Sequence, residues 1–137
     1  AKAEKGFEVV AREDTNGTFD SALEAAKKIL NEQPDITAIM CGNDQMAVAA
    51  KTALNLAGND QTVVYSIDGS PDIKKELKKA DGQIAGTVAQ SPVNIGKKAV
   101  DIALDILEGK DFEKETSVDV FMINKENVEM YGADGWQ

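Results

Sequence analysis

Short apolar runs alternate with helical stretches along the chain, and this alternation restricts the fold more than any other feature of the sequence. Residues 7–11 read as a strand. Residues about 20–32 place Ala22, Leu23, Ala25, Ala26, Ile29 and Leu30 at helical spacing, with Ser21 and Glu24 set as a capping box. A second strand, 36–41, follows Pro34, and an alanine-rich helix over 44–57 is stopped by Gly58. A third strand covers 62–67. Ser70-Pro71 then pairs a cap with proline at the first helical position, for a helix to about residue 80. Residues 83–89 form a fourth strand, which Gly86 marks as bent or irregular. Ser91-Pro92 repeats the cap-plus-proline device. Its helix, about 92–108, carries Val93, Ala99, Val100, Ala103, Leu104 and Leu107 on one side and stops at Gly109. A fifth strand is expected at about 118–123. Such repeats predict βαβ units: an α/β fold with a mainly parallel sheet, flanked by helices on both faces.

The chain has 137 residues, about the size of one domain. Its 42% apolar and 28% charged residues are those of a globular protein. Histidine is absent, which removes Ser-His-Asp and Cys-His catalytic units and histidine-ligated metals. One cysteine allows no internal disulfide and no zinc ribbon; Cys41 ends a strand and reads as a small buried hydrophobe. A net charge of −9 argues against non-specific binding to nucleic acid or anionic membrane. The N-terminus, Ala1-Lys2-Ala3-Glu4-Lys5, has neither an initiator methionine nor the apolar core of a signal peptide. A processed chain or a piece of a longer one is therefore expected. Lys74, Lys75, Lys78 and Lys79 read as a solvated basic face.

Ligands of open α/β sheets bind outside the carboxyl ends of the strands, so the residues after each strand matter most. These are Arg12, Glu13, Asp14 and Asn16; Asn43 and Asp44; Asp68; and Gln90. No Gly-x-Gly-x-x-Gly or Walker A run is present, which argues against dinucleotides and nucleoside triphosphates. Carboxylates accept from vicinal hydroxyls, and Asn and Gln both donate and accept, so the set suits a neutral, hydroxyl-rich ligand and implies no cofactor. Each residue also has a structural reading. Asn43, Ser70 and Ser91 are natural helix N-caps, and Asp44 complements a helix dipole. Asp14, Asn16 and Asp20 fail the EF-hand register, and no metal site is expected.

Three junctions carry a family likeness. The run from Ile39 to Ala47, with Asn43-Asp44-Gln45-Met46-Ala47, resembles the "N-D-x-M-A" segment of periplasmic sugar-binding proteins of ABC importers. Tyr65-Ser66-Ile67-Asp68-Gly69-Ser70-Pro71 resembles their "G-x-D-G-x-P" segment, and Thr87-Val88-Ala89-Gln90-Ser91-Pro92 their "T-[IV]-A-Q-x-P" segment. The order and spacing match, and the likeness runs from Phe7 to Val128. It points to the ribose-binding group, whose type I fold joins two Rossmann-like lobes at a hinge. The resemblance implies that Asn43, Asp68 and Gln90 bond sugar hydroxyls, with Gln90 also at a hinge crossing. The family's stacking aromatic falls on Gly17, so Phe19, two residues on, is its candidate replacement. Asp14 joins the candidate set from its place after the first strand. The resemblance further implies a monosaccharide or polyol ligand, a membrane permease as partner, and a periplasmic or extracellular location, free or lipid-anchored.

On this reading the chain is a single incomplete C-terminal lobe, 1–137. The helix at 92–108 belongs to the crossover onto a first lobe that lies outside it, and its apolar face is expected to be covered by that lobe or by self-association. Two other readings compete. The effector domain of a LacI-type transcription regulator shares the fold and the Asn-Asp-x-Met-Ala run. Its third-strand motif, however, usually has Asp-Asp where Asp68-Gly69 stands here, and its fourth ends in Arg-Gln-Pro rather than Gln90-Ser91-Pro92. A small sugar-modifying enzyme would use Asp68 or Asp14 as base or metal ligand, but no nucleophile–base pair is visible.

Overall fold

The computed structural model describes residues 6–80 and 82–136; residues 1–5, whose lack of an apolar leader core was noted above, lie outside them. Four strands form one sheet in the order β1 (Ala38–Met40), β2 (Val63–Asp68), β3 (Ile84–Ala89) and β4 (Phe121–Asn124). The first three are parallel, and β4 runs antiparallel to β3. The register skips Ala85, so β3 is irregular beside Gly86, as the glycine predicts. Four helices accompany them: α1 (Phe19–Glu32), α2 (Asp44–Ala57), α3 (Pro71–Leu77) and α4 (Pro92–Leu107).

The caps are those the sequence implies. Asn43 Oδ1 accepts from Met46 N at 2.8 Å, and Gly58 closes α2 at φ +66°. The Ser70 and Ser91 hydroxyls accept from Ile73 N and Asn94 N, with proline opening both helices. The capping box at Ser21 does not form. α1 starts earlier, after Thr18, whose hydroxyl turns back to Thr15 O, so Ser21 lies inside the helix.

Strands added in one direction through right-handed crossovers put their helices on one face. Accordingly α2 packs on β2, α3 on β3, and α1 on α2. Ala47, Ala50, Ala53 and Leu54 of α2 meet Val64, Ile73, Leu77, Ile84 and Ile123 in the core. The other face of β2 shows half-buried Tyr65 and exposed Ile67, and the sheet as a whole is flanked by helices as expected.

Four further differences have local causes. Among the described residues, 7–11 join no strand ladder; Phe7, Val9 and Val10 are exposed, and no described neighbour supplies the backbone hydrogen bonds a strand needs. α3 ends at Leu77 rather than near 80, where Lys79 N bonds Glu76 O three residues back and tightens the turn. The last strand begins at Phe121, where pairing with Ala89 starts, and ends in a turn locked by Asn124 and Asn127. Lys74 is not on a solvated face. It is fully buried, with Nζ donating to Gly135 O at 2.6 Å, and burial lowers its proton affinity against the pull of Asp134 and Asp44.

α4 buries none of its residues. Val93, Val100, Leu104 and Leu107, one stripe at helical spacing, are all exposed, Leu107 to 82%. Among the described residues no helix is long and apolar enough to cross a membrane.

α2 and α3 are also tied by charge. Lys51 Nζ meets Glu76 Oε2 at 2.8 Å, and Lys79 meets Glu76 Oε1. Burial alone would raise the Glu76 proton affinity, but the bonds from Lys51 and Lys79 outweigh it and hold the carboxyl below the usual range. A depressed carboxyl stabilises the fold above its unfolded value and loses that contribution as pH falls through the folded one. Glu76→Gln should therefore cost about 1–3 kcal/mol at neutral pH, and the gap should close in acid below the ordinary glutamate range. Urea melts of both proteins across pH check this.

Candidate functional site

The carboxyl ends of β1, β2 and β3 bring three of the five candidate residues to one edge of the sheet. Asp68 is the last residue of β2, Gln90 follows β3, and Asn43 caps α2 after β1. Gln90 Nε2 donates to Asp68 Oδ1 at 2.9 Å, and Gln90 N donates to Asp68 O at 3.2 Å. Both side chains are half-buried. Burial and the neighbouring Asp44 charge raise the proton affinity of Asp68, while the bonds from Gln90 and from the Asp44 backbone N–H oppose that rise. Asn43 already holds two structural bonds: it caps α2, and its Nδ2 donates to Gly17 O at 3.0 Å. One amide N–H and one oxygen lone pair remain to it.

The other two candidates do not follow β1, β2 or β3: Asp14 is in the loop before α1, and Phe19 is the first residue of α1. Asp14 is exposed and accepts from Asn16 N at 3.0 Å. It lines an open depression with Glu13, Asp20, Ser21, Glu24 and Lys28, a group that shares no residue with the Asp68 cluster. Phe19 is half-buried at the start of α1, two residues beyond the Gly17 carbonyl that Asn43 holds.

The centre of the arrangement is a residue that sequence reading assigned to the helix dipole. Asp44 is 3% exposed. Its Oδ1 accepts from Ser66 Oγ and, at 2.7 Å, from Thr87 Oγ1; its Oδ2 accepts from Ser70 N at 2.6 Å. Thr87 Oγ1 in turn accepts from Gly69 N at 3.1 Å. A signal was available: Ser66 and Thr87 are polar residues in otherwise apolar strands, and buried hydroxyls require a partner. Cys41, at the end of the β1 ladder, is buried, and burial pushes its thiol up to about 11.

A family profile described as "Periplasmic binding protein domain" matches residues 1–111. The chain belongs to that family. It is 34% identical over 126 residues to the ribose import binding protein of Salmonella typhimurium, covering 92% of this chain and 42% of that protein. Over 100 residues it is 33% identical to the D-allose-binding periplasmic protein of Escherichia coli, covering 72% and 32%. Among solved structures, an ABC transporter solute-binding protein from Actinobacillus succinogenes with bound D-allose superposes with a TM-score of 0.84 at 29% identity, covering 90% of this chain and 44% of that one. One from Bacillus halodurans with bound myo-inositol gives 0.82 at 29% identity, covering 93% and 44%. The chain thus spans less than half the length of the relatives it matches.

Within this family member, the turn that carries Asp68 leaves no room for a side chain at position 69. Gly69 has φ +74°, and a Cβ there would lie 2.9 Å from Ala89 Cα. Gly58 has a similar φ of +66° but open space around it. Gly69→Ala should therefore destabilise by about 2 kcal/mol or more, and Gly58→Ala by about 1 kcal/mol. Chemical denaturation of the two variants compares them directly.

Proposed function

We propose that this chain is the C-terminal lobe of a receptor that captures a monosaccharide or polyol between two lobes and delivers it to an ABC permease. The observation that carries the reading is the Asp68–Gln90 pair, a half-buried carboxylate and amide joined at adjacent strand ends, with the capping amide of Asn43 after the next strand. Such a set can accept from and donate to vicinal hydroxyls without a metal or a cofactor. The relatives named for ribose import and D-allose binding, and the similar structures with bound D-allose and myo-inositol, support the same class of ligand. The relatives described are import and solute-binding proteins, which favours a receptor over the regulator or the sugar-modifying enzyme. The location in this reading is the periplasm or the cell exterior, free or lipid-anchored.

Phe19 is the candidate for apolar contact with the sugar face, and Asp14 the more remote candidate of the set. The bare apolar stripe of α4 is the proposed seat of the other lobe. Exposed stripes of this kind are liabilities when left in water, so the 137-residue chain by itself should self-associate through α4.

Two measurements follow. A thermal-shift screen of D-ribose, D-allose, myo-inositol and other pentoses, hexoses and polyols on the whole protein should find a stabilising sugar. For that sugar, Asp68→Ala should weaken binding by about tenfold or more in calorimetry, because hydroxyls buried on binding lose their acceptor. Unchanged affinity removes Asp68 from the site. For the isolated chain, light scattering should show species larger than a monomer. A monodisperse monomer that binds no apolar dye overturns the assignment of α4.

A further inference from the structure

We infer that Asp44, which takes no part in ligand contact, is the positioning residue of the binding site: its carboxylate holds the 68–70 turn in the one conformation that presents the Asp68 side chain. The inference deepens the sugar-binding reading and rests on it. Asp68 has φ +129°, a region that residues with a Cβ avoid. A conformation of that kind persists only where the surroundings over-determine it. Here both amides that follow Asp68 end on one carboxylate. Ser70 N bonds Asp44 Oδ2 directly, and Gly69 N bonds Thr87 Oγ1, which bonds Asp44 Oδ1. The carbonyl of Asp68 is held from the other side by Gln90 N.

The chemistry calls for a carboxylate rather than an amide. The three partners of Asp44 are all donors, two hydroxyls and one backbone N–H, and an ionised carboxylate is acceptor-only. An asparagine would aim its NH2 at Ser70 N, or would bond Ser70 and force the Ser66 and Thr87 hydroxyls to reverse. Thr87 already accepts from Gly69 N, so that reversal would disturb the second arm of the clamp.

The test uses the whole protein with Asp44→Asn, Thr87→Val and Thr62→Ala. Thr62 is fully buried and bonds Ile36 O at the opposite end of β2, so its loss weakens the fold without touching the turn. Amide exchange at Gly69 and Ser70 is measured together with the affinity for D-ribose, D-allose and myo-inositol. Asp44→Asn and Thr87→Val should each speed exchange at residue 69 or 70 and lower the affinity for whichever of these binds by about tenfold. Thr62→Ala should lower the melting temperature while leaving affinity within about twofold. Affinity loss in Thr62→Ala equal to that in Thr87→Val would reduce Asp44 to a general stabiliser and overturn the inference. Exchange at Gly69 and Ser70 as slow in the variants as in the parent also overturns it, whether or not any sugar binds. If no tested sugar binds the parent protein, the functional reading fails by itself, and exchange still decides the role of Asp44. If Asp44→Asn does not fold, Thr87→Val, which cuts only one arm, decides alone.

Discussion

A carboxylate with almost no access to water is tolerable only if every lone pair it turns inward meets a donor. Asp44 meets that demand by taking one donor from β2, one from β3 and one from the first cap of α3. The constraint works in both directions. The donors keep the charge from destabilising the fold, and the charge fixes where three elements stand relative to the start of α2. The short turn between β2 and α3, with its glycine pressed against Ala89, has little freedom left. The alanine face of α2 serves the same end, since small side chains allow the helix close enough to the sheet for Asp44 to reach Ser66 and Thr87.

The electrostatics at the strand ends then favour one sort of ligand. Two carboxylates, Asp44 and Asp68, lie near enough to raise the proton affinity of the more accessible one. An anionic ligand would add to that repulsion. A neutral polyol of the proposed kind would bring O–H donors to Asp68, whose hydrogen bonds offset the water it loses.

Much of this architecture was legible in the residues, and the gaps have physical causes. Caps and stops at Asn43, Gly58, Ser70-Pro71 and Ser91-Pro92 are local chemistry, so α2 and the starts of α3 and α4 follow directly from sequence. Residues 7–11 have the composition of a strand, but a strand exists only with a neighbour, and pairing is not encoded in the segment itself. Asp68 and Gln90 stood out by position after their strands, and their mutual bond is new. Asp44 was missed as a centre because its partners lie 22, 26 and 43 residues away along the chain. Lys74 was misread because its cover comes from the C-terminal segment, 61 residues on.

The single cysteine acquires a use from its place. Cys41 is buried, protonated at neutral pH, and two residues from the cap that leads into Asp44. Its burial shields it from thiol reagents, so its modification rate would report the exposure of the ground beneath the strand ends. Within these 137 residues it is the one thiol, so a label read on this chain reports on that place alone.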